Sequence, residues 1–245
     1  MLVFFRILFF ILLSLTASAQ LSLKISCNDD PKALRRFKWK TNYSNEEDVK
    51  KEITQIISQI QSLGYLTVSV DSIIITKQEA LTYLSVGKRY SWTELKIEKK
   101  DLLIFADAGL NTENYQKVFF SHKELKKIHS RLLTYLENNW FPFAIVKFDS
   151  LDIQANSIGA KLIIQKNKFV TLDSIKQEPS LFVSKNFISH YLQIKEGMPY
   201  SEKKNADISR KLKQLPFLKQ SKPPLIKLTD KTTKLYLFLD KVLKK

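Results

Sequence analysis

Apolar residues along the chain switch from a helical period to a strand period, and they do so three times. Val49, Ile53, Ile56, Ile57, Ile60 and Leu63 form one stripe at helical spacing. Leu66, Val68 and Val70 then alternate with polar residues, and "EALTYLSV" (79–86) returns after a polar turn. The order recurs with Leu125, Ile128, Leu132, Leu133 and Leu136, then Ala144, Val146 and Phe148, then "GAKLIIQ" (159–165). Its third copy has Ile208, Leu212 and Leu215, a looser run from Leu225 to Leu228, and "KLYLFLD" (234–240). Spacing of three and four predicts a helix with one buried face, and alternation on both sides of a polar turn predicts a hairpin.

The boundaries repeat as well. An aromatic residue and a serine precede each helix, at Tyr43-Ser44, Phe120-Ser121 and Tyr200-Ser201. The serines suit helix caps, and Glu47 and Glu124 stand where a capping box needs them. Each helix ends at a breaker: "LGY" (63–65), "NWFP" (139–142) or "LPF" (215–217). Gly64, Trp140 and Pro216 are 76 residues apart in turn. A strand is expected before each copy, in "LSLKIS" (21–26), "WTELKIE" (92–98) and "FVTLDSIKQ" (169–177). "SKNFISHYLQI" (184–194) reads as a further helix in the third copy, with Gly197 expected to end it in the left-handed conformation. Residues 27–43 leave room for the corresponding helix of the first copy, without a clear stripe to place it.

This order resembles the POTRA (polypeptide-transport-associated) domains of the Omp85 superfamily, as in BamA- and TamA-like proteins and two-partner secretion transporters. The match is best in "FVTLDSIKQ", "FISHYLQIKEGMPYSEKKNADISRKLKQLPFLKQ" and "KLYLFLD", through L-x-I-K-x-G-x-x-Y-S and L-x-x-L-x-F. The resemblance implies an α+β fold of tandem β-α-α-β-β units, each a small mixed three-stranded sheet with two helices on one face. Units are expected over 20–91, 92–168 and 169–245. It also implies that the first strand of each hairpin is an open edge. An extended client could add there through main-chain hydrogen bonds. Leu66, Val68, Val70, Ala144, Val146 and Phe148 are the expected docking positions. "SKPP" (221–224) should protect the third edge, because proline has no N–H to offer. Pairing of these strands with a neighbouring unit is the competing reading.

The function so implied is a periplasmic scaffold of outer-membrane protein assembly or translocation, with neither a catalytic centre nor a cofactor. Its partners would be unfolded outer-membrane or secreted polypeptides and envelope accessory proteins. An adaptor for folded envelope proteins is the alternative. Members of the superfamily continue into a transmembrane β-barrel, whereas this sequence stops at Lys245. A fragment of a barrel protein and a free-standing module both fit.

Composition adds an address and a charge. "MLVFFRILFFILLSLTASAQ" has one early cation, an apolar run and small residues before a cut between Ala19 and Gln20, the pattern of a signal peptide over 1–19. An uncleaved anchor is the other reading. Formal net charge is +16 for the chain, or +15 once Arg6 is removed with the signal. Scattered lysine in an exported protein argues against nucleic acid and leaves an anionic membrane surface, or plain solvation, as the reason.

Candidate chemistry is sparse. The one cysteine, Cys27, permits no internal disulfide and reads as a small buried residue. His122, His129 and His190 show no metal-ligand spacing, and no nucleophile elbow, phosphate loop or dinucleotide fingerprint is present. Asp149 and Asp152 fit a solvated hairpin.

Overall fold

The computed structural model describes residues 20–178, 183–229 and 232–242. The expected signal peptide, with Ala19 at its end, lies outside the described residues; Gln20 is exposed. In chain order the first elements are β1 (Leu21–Cys27), α1 (Pro31–Leu34), β2 (Asn42–Tyr43), α2 (Glu46–Ser62), β3 (Ser69–Ile75) and β4 (Glu79–Ser85). Next come β5 (Ser91–Ile97), α3 (Leu102–Asp107), α4 (His122–Asn138), β6 (Ile145–Gln154) and β7 (Ser157–Gln165). The last are β8 (Ser174–Glu178), α5 (Lys185–Leu192), α6 (Glu202–Leu212), β9 (Leu218–Leu228) and β10 (Thr233–Lys241).

These strands make three sheets, ordered β2-β1-β4-β3, β5-β7-β6 and β8-β10-β9. β1 runs parallel to β4 from Ser22↔Glu79 to Cys27↔Leu84, and β8 runs parallel to β10. β3 and β9 are antiparallel to β4 and β10. A parallel neighbour followed by an antiparallel hairpin makes a mixed sheet, so the fold is α+β. The chain divides into two compact units. One comprises the described residues up to Glu94 with Gln116–Leu125 and Ile153–Ile158; the other comprises Leu95–Tyr115, Lys126–Asp152 and the described residues from Gly159 onward.

The periodic residues are the ones that make the cores. Val49, Ile53, Ile56 and Ile60 are buried on α2, and Ile128, Leu132 and Leu136 on α4. In the third sheet Leu235, Leu237 and Leu239 of β10 share a core with Ile188 and Leu192 of α5 and Ile208 and Leu212 of α6. Alternate residues of a strand point to one face, so both helices cover the same face. Each fully buried Leu or Ile contributes about 1.5–3 kcal/mol from area removed from water. Cys27 is the one cysteine, so no internal disulfide adds to these cores.

Three features differ from expectation, and one helix is placed that the sequence left unplaced. The cap of α2 is Asn45, whose Oδ1 accepts from the Asp48 N–H at 2.8 Å. Ser44 falls one residue short because Tyr43 is held opposite Leu21 in β2. That pairing also makes the first sheet four-stranded. In the third copy Ser201 does cap α6, accepting from Lys204 N–H. The region 27–43 contains a one-turn helix, α1, capped by Asp30 and opened by Pro31, which has no N–H to leave unpaired. Finally, α5 ends at Leu192 with Gln193 in the left-handed conformation, φ 58°. Gly197, φ 81°, instead turns the chain four residues later, within a turn closed by Met198 N–H on the Lys195 carbonyl.

The aromatic–serine motif has a backbone role in all three copies. The residues before each long helix pair antiparallel with a segment at or just ahead of the start of their copy: Leu21 with Tyr43, Ser91 with Phe119, Thr171 with Pro199. Phe120 N–H donates to the Tyr90 carbonyl at 2.9 Å, and Tyr200 N–H to the Val170 carbonyl at 3.0 Å. Tyr43 and Phe120 are buried there.

The breaker after each long helix is also used alike in the first two copies. Gly64 (φ 101°) and Trp140 (φ 82°) both have positive φ. The Gly64 carbonyl accepts from Tyr90 N–H at 2.8 Å, and the Trp140 carbonyl from Val170 N–H at 2.9 Å. Tyr90 stands just ahead of the second copy, and Val170 is at the start of the third.

Candidate functional site

β3, β6 and β9 each lie at one end of the hydrogen-bond order of their sheet, so all three are edge strands. The expected docking residues fall on or before them. Leu66 is in a turn closed by Val68 N–H on the Tyr65 carbonyl at 3.4 Å, and Val68 precedes β3, which starts at Ser69. Ala144 is placed likewise, its N–H on the Phe141 carbonyl at 3.1 Å, one residue before β6. Val68 and Val146 are buried, with Val70 and Phe148 half-buried. The six residues therefore mark the inner face of the edges and the turns that lead into them.

The edges also carry exposed residues that the alternation did not single out. Ile73 and Ile74 are exposed on β3, as are Ile145, Leu151 and Ile153 on β6. The unbroken β-branched run Ile73-Ile74-Ile75 was the available signal, because such residues favour strands even where alternation is lost. A register shift between Val70 and Ser72 carries the strand past the expected end. Just past β3 the Thr76 N–H donates to the Glu79 carbonyl at 2.8 Å. Hydrogen-bonded pairs alternate along an antiparallel ladder, so Ile74 faces Leu81 in the next bonded pair. The N–H groups of Ile73 and Ile75 then point away from β4.

The third edge is built differently. Pro223 and Pro224 lie inside β9, and the register slips there between Leu225↔Tyr236 and Lys222↔Phe238. The expectation had these prolines ahead of the strand. An edge strand with an irregular ladder is where a sheet tolerates them.

Charged groups near these elements serve structure. Burial works against the charge on Asp29. The Cys27 thiol and the N–H groups of Val86 (3.0 Å) and Gly87 (2.7 Å) outweigh it and hold the carboxyl well below the usual range. Burial, with Asp29 beside it, pushes the Cys27 thiol up, away from the reactive thiolate. Asp101 is buried, and desolvation raises its carboxyl. His122, His129 and His190 are exposed. Among the described residues no group of three or more His, Cys, Asp or Glu could hold a metal, and no helix is long and apolar enough to cross a membrane.

No protein-family model and no curated protein matches the sequence. Solved structures do match. POTRA domains 3–5 of BamA from Haemophilus influenzae superpose with a TM-score of 0.54 at 11% identity, over 90% of this chain and 96% of that one. The chain has the tandem POTRA fold. The N-terminal domain of Omp85 from Thermosynechococcus elongatus gives a TM-score of 0.37 at 12% identity, over 91% of this chain and 98% of that one. CdiB from Acinetobacter baumannii gives 0.35 at 13%, over 89% and 40%. Only the first likeness is strong enough to show a shared fold.

Within this POTRA array the edge strands offer main-chain hydrogen-bonding groups. Edge strands β3 and β6 combine a free side of the ladder with exposed aliphatic side chains. β9 withholds two N–H groups.

Proposed function

We propose that this protein is a periplasmic scaffold of outer-membrane protein assembly or translocation that receives unfolded polypeptides by strand addition at β3 and β6. The carrying observation is a tandem POTRA fold whose first two hairpins present open, aliphatic edges while the third is blocked by proline. The three sheets with their helices are taken as units over 20–91, 92–168 and 169–245. Export follows from the signal peptide cut between Ala19 and Gln20. Folded accessory proteins dock on the same scaffold, and no step needs a cofactor.

Strand addition draws its affinity from backbone hydrogen bonds and asks little of the client's side chains, which suits a factor that handles many sequences. Val68 and Val146 are poor places to test it, because substitution there opens the core. Ile73→Pro removes an outward donor and leaves the β3–β4 ladder whole. Cross-linking from β3 to an unfolded outer-membrane precursor should fall about fivefold or more, with an unchanged far-ultraviolet spectrum; one lost hydrogen bond is of that size. Undiminished cross-linking refutes docking at β3. Capture of a folded envelope protein in place of unfolded chains would install the adaptor reading.

A further inference from the structure

Positive charge is concentrated in the last copy. Residues 169–245 hold 16 basic and 7 acidic residues, a formal +9, against 23 and 17, a formal +6, for residues 20–168. Fifteen of those 16 are lysines. Between α6 and the start of β9 lies a groove of about 470 Å³ lined by Lys213, Lys219 and Lys222 with Ser209 and Gln220, and by no carboxylate. Among the described residues none of the three lysines is in an ion pair.

The segment Phe217-Leu218-Lys219 runs from this groove into an exposed aromatic cluster. Phe217 and Phe187 are 44% and 41% exposed, with ring centroids 5.9 Å apart, and Phe187 stacks on Tyr191. Val242, also exposed, donates its N–H to the Phe217 carbonyl. Beyond the cluster, Lys185 and Lys195 are exposed on and just after α5.

We propose that this face of the third copy docks on an anionic bilayer surface, with Lys213, Lys219 and Lys222 on the headgroups and Phe187 and Phe217 at the headgroup–acyl boundary. Two observations select lipid over an acidic protein. Lysine is a mobile point charge suited to a diffuse anionic surface, whereas recognition of individual carboxylates favours the bidentate fork of arginine. The exposed rings are phenylalanines, the apolar type that beside a basic face sits at a headgroup–acyl boundary. Edge protection accounts for lysine and proline on β9; it does not account for Lys213 on the facing helix side of the groove or for the paired rings. The inference goes beyond client handling, since it uses no edge hydrogen bond. Its failure leaves the proposed function untouched, and loss of client cross-linking leaves it untouched.

Flotation of the chain from Gln20 to Lys245 with vesicles of about 30% phosphatidylglycerol in phosphatidylcholine tests it. The wild type should bind these vesicles and not pure phosphatidylcholine, and K213E/K219E/K222E should lose about tenfold or more in affinity. The matched reversal K50E/K123E/K126E, on the exposed sides of α2 and α4, should lose less than about threefold. F187S/F217S should keep only binding that salt of about 0.5 M abolishes. Equal loss in the two triple variants, or equal binding to neutral vesicles, overturns the proposal. So does lysine-dependent binding of polyglutamate without any vesicle binding, which would assign the face to an acidic protein.

Discussion

Two junctions in this chain use one backbone device with different side chains. After α2, Gly64 takes a positive φ and its carbonyl receives Tyr90 N–H; after α4, Trp140 does the same for Val170. Around Gly64 the rest is tight and cationic. A Cβ at Gly64 would come within 2.5 Å of the Phe120 carbonyl oxygen. Arg89 Nε donates to the Leu63 carbonyl at 2.7 Å, and its guanidinium lies 4.2 Å over Phe119. Around Trp140 the packing is aromatic and open. Trp140 and Phe141 both meet Phe169 edge-on, and Asn138 Oδ1 accepts from Lys203 N–H at 2.7 Å and Ser201 Oγ at 3.2 Å. The shared element is therefore a carbonyl aimed by a left-handed residue, and the side chains fill whatever space that geometry leaves. The corresponding residue of the third copy is Pro216, whose ring fixes φ near −65° and forbids the device.

The largest effect should come from Gly64→Val. The substitution meets both a backbone conformation that β-branched residues avoid and the Phe120 carbonyl. Together these should cost about 3–5 kcal/mol in urea unfolding. A cost below about 1 kcal/mol would mean that the first junction is looser than its geometry.

How much of this could be read from residues alone depends on whether the deciding interaction was local. The helix stripes, the hairpins and the Ser201 cap are local, and they stand where periodicity and capping chemistry put them. The edge status of β3 and β6 followed from the family resemblance and holds in the sheet order. The misses were set by contacts distant in sequence. Ser44 looked like a cap, yet pairing of Tyr43 with Leu21 moved the helix start to Asn45. Gly197 looked like the end of α5, but its N–H is committed to the Leu172 carbonyl, so Gln193 accepts the strained conformation instead. The outward residues of β3 were missed because a bulge at Asp71 broke the alternation on which the reading relied. Left-handed Trp140 had no signal at all, since nothing about tryptophan predicts a positive φ.

Asn138→Ala sharpens the contrast from the other side. Asn138 stands at the end of α4 and accepts from Lys203 N–H at the start of α6, beside the Ser201 cap. Its loss should cost about 1 kcal/mol, the usual value of a cap, and it should raise amide exchange at Lys203 well above that at Ile208. A uniform rise across α6 would show that the bond is only one of many equal supports.

The smallest effect, and the most discriminating, is expected from Trp140→Gly. Glycine adopts a positive φ freely, so the backbone at residue 140 should gain about 1 kcal/mol. Against this stands the lost edge-on pair with Phe169, worth about 0.5–1.5 kcal/mol. Trp140 is 43% exposed, which limits what burial adds. The two terms oppose, and unfolding should move by less than about 1 kcal/mol in either direction. A loss above about 2 kcal/mol would show that the aromatic packing, not the aimed carbonyl, holds the second junction. In that case Gly64 and Trp140 would share a conformation without sharing a purpose.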